Sequence, residues 1–383
     1  MKKKVLALAA VLILAMICGG MVYADSKEYK VGCVFAVTGK AAWLGEPEKK
    51  TVEMLVEEIN AAGGINGRKL KLIIEDDQAD NTAAVNAVKK LINKDKVCAI
   101  IGPSVSGATM AVIPVMQEAQ IPLVSCAAAA AIVEPVAERK WIFKTPQKDS
   151  DAVRRIYEHM ISKGIKDVGL ITATSGFGNA GRTQLKDLAA EYKMNIVADE
   201  TYAPSDTDMT AQLVNIRKAN ARAVINWSIE PAQSIVPKNM KQLNMTIPLY
   251  QSHGFGNIKY AEAAGEAGEG IIFPAGRLLA VDTLADDHPQ KAVLAAYKAK
   301  YEARYNEPVS TFGGHAYDAL HIVVNALKKA GDDPAKLRDA IETSEFVGTG
   351  GVFKFSATDH TGLDKNAFEM LTVKGGKFVV LGK

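Results

Sequence analysis

The sequence predicts an α/β protein made of two doubly wound parallel-sheet lobes. Strand-like and helix-like segments alternate almost without interruption from Lys30, the alternation restarts after Lys148, and 383 residues suffice for two domains that each bury a core.

Lys30 to Ala36 reads as a strand. Val52, Leu55, Val56 and Ile59 then fall at i, i+3, i+4 and i+7, an amphipathic helix ended by Gly63-Gly64. Leu70 to Ile74 is the next strand, and Asn81 to Asn93 the next helix, with Val85, Val88 and Ile92 on one face. Cys98–Ile101, Ser106–Ala119 and Ile121–Ser125 follow as strand, helix and strand. The second series runs Val168–Thr172 (strand), Asn179–Tyr192 (helix), Ile196–Tyr202 (strand), Thr210–Ala219 (helix), Ala223–Trp227 (strand) and Pro231–Leu243 (helix). Ile247–Gln251 and Gly270–Phe273 are further strands. Helices at Pro289–Tyr305, Thr311–Ala330 and Pro334–Glu342 come next, before a strand-like tail from Gly351. Such βαβα order implies a parallel sheet with helices on both faces. No Pro/Gly/Ser-rich linker separates the halves. Extended connections near Phe143–Thr145 and Phe273–Gly276 are expected to cross between them.

The amino terminus speaks for export. Lys2, Lys3 and Lys4 precede an apolar run from Val5 to Ile17, and Val22-Tyr23-Ala24 places small residues where signal peptidase reads. A signal peptide over residues 1–24 is expected, with a periplasmic product. The alternative, a lipid anchor at Cys18, is disfavoured because Ala15-Met16-Ile17 makes a poor lipobox. The whole chain carries 46 basic and 43 acidic residues, so loss of the three leader lysines leaves a balanced charge and no basic footprint for nucleic acid. Cys33, Cys98 and Cys126 are too few and too apolar in context for a disulfide framework and read as buried thiols, although a Cys98–Cys126 bridge stays open at this level.

At Thr38-Gly39-Lys40-Ala41-Ala42-Trp43-Leu44-Gly45 the chain resembles the branched-chain amino-acid-binding proteins of ABC importers. The resemblance continues through Ile59-Asn60-Ala61-Ala62-Gly63-Gly64-Ile65-Asn66-Gly67, Glu75-Asp76-Asp77, Ile100-Ile101-Gly102-Pro103 and Ile121-Pro122-Leu123-Val124-Ser125. It implies a type I periplasmic-binding-protein fold, with ligand in the interlobe cleft and three crossings at the hinge. The third crossing is expected near Gly351–Phe355. Lobe 1 then takes residues 25–144 plus 277–351, and lobe 2 takes 145–276 plus 352–383. It implies a monomeric extracytoplasmic receptor, with an ABC permease in the inner membrane as partner and neither cofactor nor metal. A sensor that serves a membrane receptor would share the same fold.

The expected ligand site starts at Ser106 and Gly107, where a helix opens beyond a strand end. Free N–H groups and the positive end of the helix dipole suit a carboxylate there; the alternative for Ser106 is that it caps its helix. Ala127, Ala128 and Ala129 lie at the next strand end. Trp43, Leu44, Phe177, Ile229, Glu230 and His253 complete the expected lining, and Arg277 is an additional candidate that also suits the hinge. The resemblance implies a threonine hydroxyl at the position of Ala129 and an acid at the position of His253, both serving an amino acid's polar end. Alanine has no hydroxyl, and histidine supplies no negative charge for an ammonium. The expected ligand is therefore a small organic carboxylate with an apolar body, an aromatic acid such as a benzoate for preference. A leucine, isoleucine, valine or other amino-acid ligand is the alternative. His315 reads as packing or capping, and Glu75-Asp76-Asp77 as a structural strand end.

Enzyme readings are weaker. Gly176-Phe177-Gly178-Asn179-Ala180-Gly181 fits G-x-G-x-x-G, with Asp199-Glu200 beyond it. The strand before it is expected to end at Thr172, too early for a dinucleotide turn. No nucleophile elbow surrounds Ser106, and the six histidines show no zinc spacing. No catalytic residue is assigned, and the chain is not expected to be an enzyme.

Overall fold

A computed structural model describes residues 28–382; the expected leader and Cys18 lie outside the described residues. The first sheet holds β1 (Tyr29–Phe35), β2 (Leu70–Asp76), β3 (Ala99–Ile101), β4 (Leu123–Ser125) and β5 (Ile142–Lys144) in the order β2-β1-β3-β4-β5. Every pairing in it is parallel. The intervening helices are α1 (Ala42–Ala61), α2 (Asn81–Lys90) and α3 (Ser106–Ala119). Strands this apolar need cover on both faces, and helices supply it.

After α4 (Asp149–Ser162) the second sheet is built from β6 (Asp167–Ala173), β7 (Asn195–Tyr202), β8 (Ala223–Trp227), β9 (Leu249–Gln251) and β10 (Ile272–Gly276). Its helices are α5 (Gly176–Ala189), α6 (Thr210–Lys218), α7 (Ile235–Gln242) and α8 (Ile258–Ala264). The chain then passes through α9 (Lys291–Tyr305), α10 (Thr311–Ala330) and α11 (Pro334–Glu342), and through a separate hairpin of β11 (Glu345–Val347) and β12 (Val352–Lys354). Finally β13 (Phe368–Lys374) and β14 (Lys377–Val380) join the second sheet antiparallel, giving β14-β13-β10-β9-β8-β6-β7. The fold is α/β with two parallel-sheet lobes, as the alternation predicts.

Several local expectations are shifted. Residues 142–144 and 272–276 are strands β5 and β10 of the two sheets, and the chain leaves each lobe just after them. The pass back to the second sheet lies later than the 351–355 expected. Phe353, Phe355 and Leu363 pack in the same core as Val31, Cys33, Leu320 and Leu327, so this stretch buries its rings in the first lobe before reaching β13 at Phe368. Pro231–Leu243 divides into a short 3₁₀ turn and α7. The amphipathic α4, with Ala152, Val153, Ile156, Tyr157 and Met160 buried, and the short α8 were not assigned from the sequence. Cys33, Cys98 and Cys126 are buried free thiols, so no Cys98–Cys126 bridge forms. Among the described residues no helix is long and apolar enough to cross a membrane.

Candidate functional site

The two lobes meet along the carboxyl ends of their strands. β3 and β4 deliver Ser104 and Ser106, then Cys126, Ala127 and Ala128, while α1 and α10 add Leu44, Phe312 and His315. From the second lobe come Phe177 at the start of α5, Ile229 after β8, and His253-Gly254 after β9. With Pro146 these residues line a small cavity, with about 20 Å³ of free space in this form. That space holds about one water molecule, so a larger ligand needs the walls to part; the cavity's placement follows the rule for open α/β sheets.

The polar groups on its wall have distinct commitments. Ser104 Oγ accepts from the Ala36 N–H (3.0 Å) and donates to the buried Glu48 carboxyl. Burial raises the Glu48 pKa well above the ordinary carboxyl range, against the hydrogen bond from Ser104. Ser106 is not the helix cap: Val105 occupies that position, and Ser106 Oγ accepts from the Ala129 N–H at 3.3 Å. Its own hydrogen remains available to an anion, beside the first N–H groups of α3, which have no carbonyl ahead of them in the helix.

His253 is buried, and neither ring nitrogen has a partner among the described residues. The rings of Phe177 (5.3 Å), Trp227 (5.7 Å) and Phe368 (5.6 Å) surround it edge-on. His315 Nδ1 is also unpartnered. Burial, together with the Lys144 ammonium, pushes the His253 pKa well below its ordinary value and the His315 pKa down to about 3. Lys144 itself is buried behind the cavity, where Nζ donates to the carbonyls of Ala128 (2.9 Å) and Pro146 (2.7 Å). Burial lowers its pKa to about 7, with the Asp149 carboxylate pulling the other way.

Some expected residues stand elsewhere. Gly107 and Glu230 face an outer groove with Lys40, Asn81 and Ser175 rather than the cavity. The Glu230 carboxylate is turned onto its own loop, accepting from Ser228 Oγ (2.6 Å) and the Ile229 N–H (3.2 Å). Trp43 packs edge-on against Tyr260 of the second lobe at 5.1 Å, and its carbonyl accepts from Asn257 Nδ2 at 2.9 Å. It therefore links the lobes, while its neighbour Leu44 lines the cavity. Ala129 reaches the site only through its N–H on Ser106. Arg277 pairs with Glu369 at 3.0 Å and donates to the Asn366 carbonyl, away from the residues that line the cavity. His315 was missed as a cavity residue, and Lys144 as the cation behind the wall. Lys144 falls in a segment read as a crossing, and His315 was read as packing.

The G-x-G-x-x-G segment is explained by packing. The helix begins at Gly176, capped by Ser175 Oγ on the Gly178 N–H, so the glycines form no phosphate loop. The strand before it runs to Ala173, one residue beyond the expected end. A Cβ on Gly178 would lie 1.9 Å from the Ala173 carbonyl oxygen, and one on Gly181 would lie 2.1 Å from Trp227 Nε1. At the strand end, Asp76 accepts from the N–H groups of Val37 and Thr38 and from Thr38 Oγ1 (2.6 Å), and holds the loop that leads to Leu44.

Comparison with known proteins agrees with this geometry. A family model described as periplasmic binding protein matches residues 28–377. The chain is 25% identical over 320 residues to a leucine-, isoleucine-, valine-, threonine- and alanine-binding protein of Pseudomonas aeruginosa, covering 83% of each. Among solved structures it is similar to an extracellular ligand-binding receptor from Rhodopseudomonas palustris HaA2, with TM-score 0.87 and 27% identity over 92% of this chain and 99% of that one. It is also similar to an ABC-transporter solute binding protein from R. palustris in complex with benzoate, with TM-score 0.80 and 26% identity over 93% and 96% of the two chains.

Proposed function

The chain belongs to the periplasmic binding protein family, which supplies the substrate-binding proteins of ABC transporters, and from that premise we propose that it is an importer's receptor whose lobes close on a small organic carboxylate, an aromatic acid for preference.

One observation carries the choice of ligand. Among the described residues that line the cavity there is no aspartate or glutamate, so an α-ammonium entering it would meet no counter-charge. Buried charges need such a partner. Ser106 and the start of α3 suit a carboxylate, while Phe177, Ile229, Leu44 and Phe312 suit an apolar body. The benzoate complex of the R. palustris protein supports the same ligand class. The name of the P. aeruginosa relative supports the second reading, a branched-chain or other small amino acid. Export to the periplasm, a monomeric state, the division of lobes at the hinge, a permease partner and a non-enzymatic role belong to the same proposal.

The test is a thermal-shift screen of the purified protein with leucine, isoleucine and valine beside benzoates and short aliphatic carboxylates. A ligand that binds only the folded state raises the midpoint by mass action. A shift with simple carboxylates alone is the expected result. A shift with the amino acids alone would replace this reading by the second one.

A further inference from the structure

We propose that His315 of the first lobe and His253 of the second bracket a hydroxyl group of the ligand, so that the cavity selects a carboxylate that also carries a hydroxyl. This deepens the proposed carboxylate reading and rests on it.

The argument is one of donors and acceptors. His315 lies in the first turns of α10, with its backbone carbonyl held by Thr145 Oγ1 at 2.9 Å, and its ring enters the same cavity as His253. His253 Nδ1, His253 Nε2 and His315 Nδ1 have no protein partner, although both residues are more than nine-tenths buried. Buried polar atoms left unpaired are costly, so a ligand that pairs them gains what the protein forgoes. The rings of Phe177, Trp227 and Phe368 pack around His253, and among the described residues no group hydrogen-bonds either of its nitrogens. Burial first, and then Lys144 behind the wall, hold both imidazoles neutral. A neutral imidazole presents one N–H and one bare nitrogen. A carboxylate offers acceptors only and cannot satisfy the bare nitrogen. A hydroxyl both accepts and donates, so one O–H placed between the rings answers an N–H on one and a lone pair on the other. The carboxylate is then left to Ser106 and the α3 N–H groups.

The experiment is isothermal titration calorimetry of the purified protein with benzoate, each of the three monohydroxybenzoates, and leucine, repeated with His315→Leu. At least one hydroxybenzoate should bind the wild type about tenfold or more tightly than benzoate, since a site built to hydrogen-bond a hydroxyl discriminates against the ligand without it. That preference should fall below about threefold in His315→Leu. Benzoate binding as tightly as all three hydroxybenzoates, or a preference that survives in His315→Leu, overturns the inference while leaving the carboxylate reading in place. Binding of leucine with no binding of any benzoate overturns both. If His315→Leu does not fold, His315→Gln replaces it, and the wild-type comparison still decides whether a hydroxyl is preferred.

Discussion

Gly176, at the start of α5, stands against Gly107, near the start of α3, with no room for a side chain between them: a Cβ on Gly176 would lie 2.6 Å from both the Cα and the nitrogen of Gly107. The two helices belong to different lobes, so this backbone approach exists only when the cleft is closed. The Trp43–Tyr260 contact and the Thr311 N–H bond to the Gly256 carbonyl (3.0 Å) span the same cleft. A ligand favours closure only through contacts that the closed form adds.

Gly176→Val should therefore oppose closure without harming either lobe. Ligand affinity is expected to fall at least about tenfold, about 1.4 kcal/mol. The unfolding midpoint of the ligand-free protein should hold. Calorimetric titration, with small-angle scattering to follow compaction, measures both. Unaltered affinity would mean that the lobes close without this contact.

Ser106→Ala removes the hydroxyl on the cavity wall and releases the Ala129 N–H. Carboxylate affinity should weaken by roughly 1–2 kcal/mol, the worth of a hydrogen bond to a charged group. The measurement is the dissociation constant of the best ligand from the thermal screen. A variant that binds as tightly as the wild type would remove Ser106 from the site.

Binding of an anion should strengthen as pH falls through about 7. The Lys144 pKa is lowered to about 7 by burial, with Asp149, Asp151 and Glu134 raising it and Lys148 lowering it. An anion in the cavity favours the ammonium form, so binding takes up a proton. Benzoate affinity is expected to be roughly three- to tenfold higher at pH 6 than at pH 8.5. The heat of binding should vary with the buffer's ionisation enthalpy. Equal affinity at both pH values would count against this coupling.

Asp318 ties α10 to the turn of the β11–β12 hairpin, accepting from the N–H groups of Thr349 (2.6 Å) and Gly350 (2.7 Å) and from Thr349 Oγ1 (3.0 Å). Burial raises its pKa to about 7, although those donors pull it down. The folded state therefore keeps a proton that the unfolded chain releases near pH 4. That contribution is full below pH 4 and is lost as pH rises to about 7. Asp318→Asn abolishes the dependence. The stability advantage of the wild type over the variant should be about 2 kcal/mol larger at pH 5 than at pH 8, measured by urea unfolding. A constant advantage would mean that the three donors keep the carboxylate ionised throughout.

Much of the architecture was legible because period and punctuation are local. Val52, Leu55, Val56 and Ile59 announce a helix, and α3 and α10 begin and end where their sequences predict. Ser106, Ala127, Ala128, Leu44, Phe177, Ile229 and His253 could be placed near the cleft because strand ends and helix starts mark it, and the structure brings those residues to one cavity. The helix Asp149–Ser162 was not assigned, although Ala152, Ile156, Tyr157 and Met160 keep one buried face.

By itself, then, the sequence determined the order of strands and helices, the two-lobed α/β class and the family. Tertiary packing alone decided the chemistry of the cavity. His315 is separated from Ser106 by most of the chain, and only the return of α10 to the first lobe brings the two together. Glu230 turns onto Ser228, Trp43 reaches Tyr260, and Lys144 is buried with its Nζ on the backbone carbonyls of Ala128 and Pro146. The physical reason is that hydrophobic periodicity reports which face of an element is buried. It does not report which distant side chain is buried against that face, and hydrogen bonding and charge in the cavity depend on that neighbour.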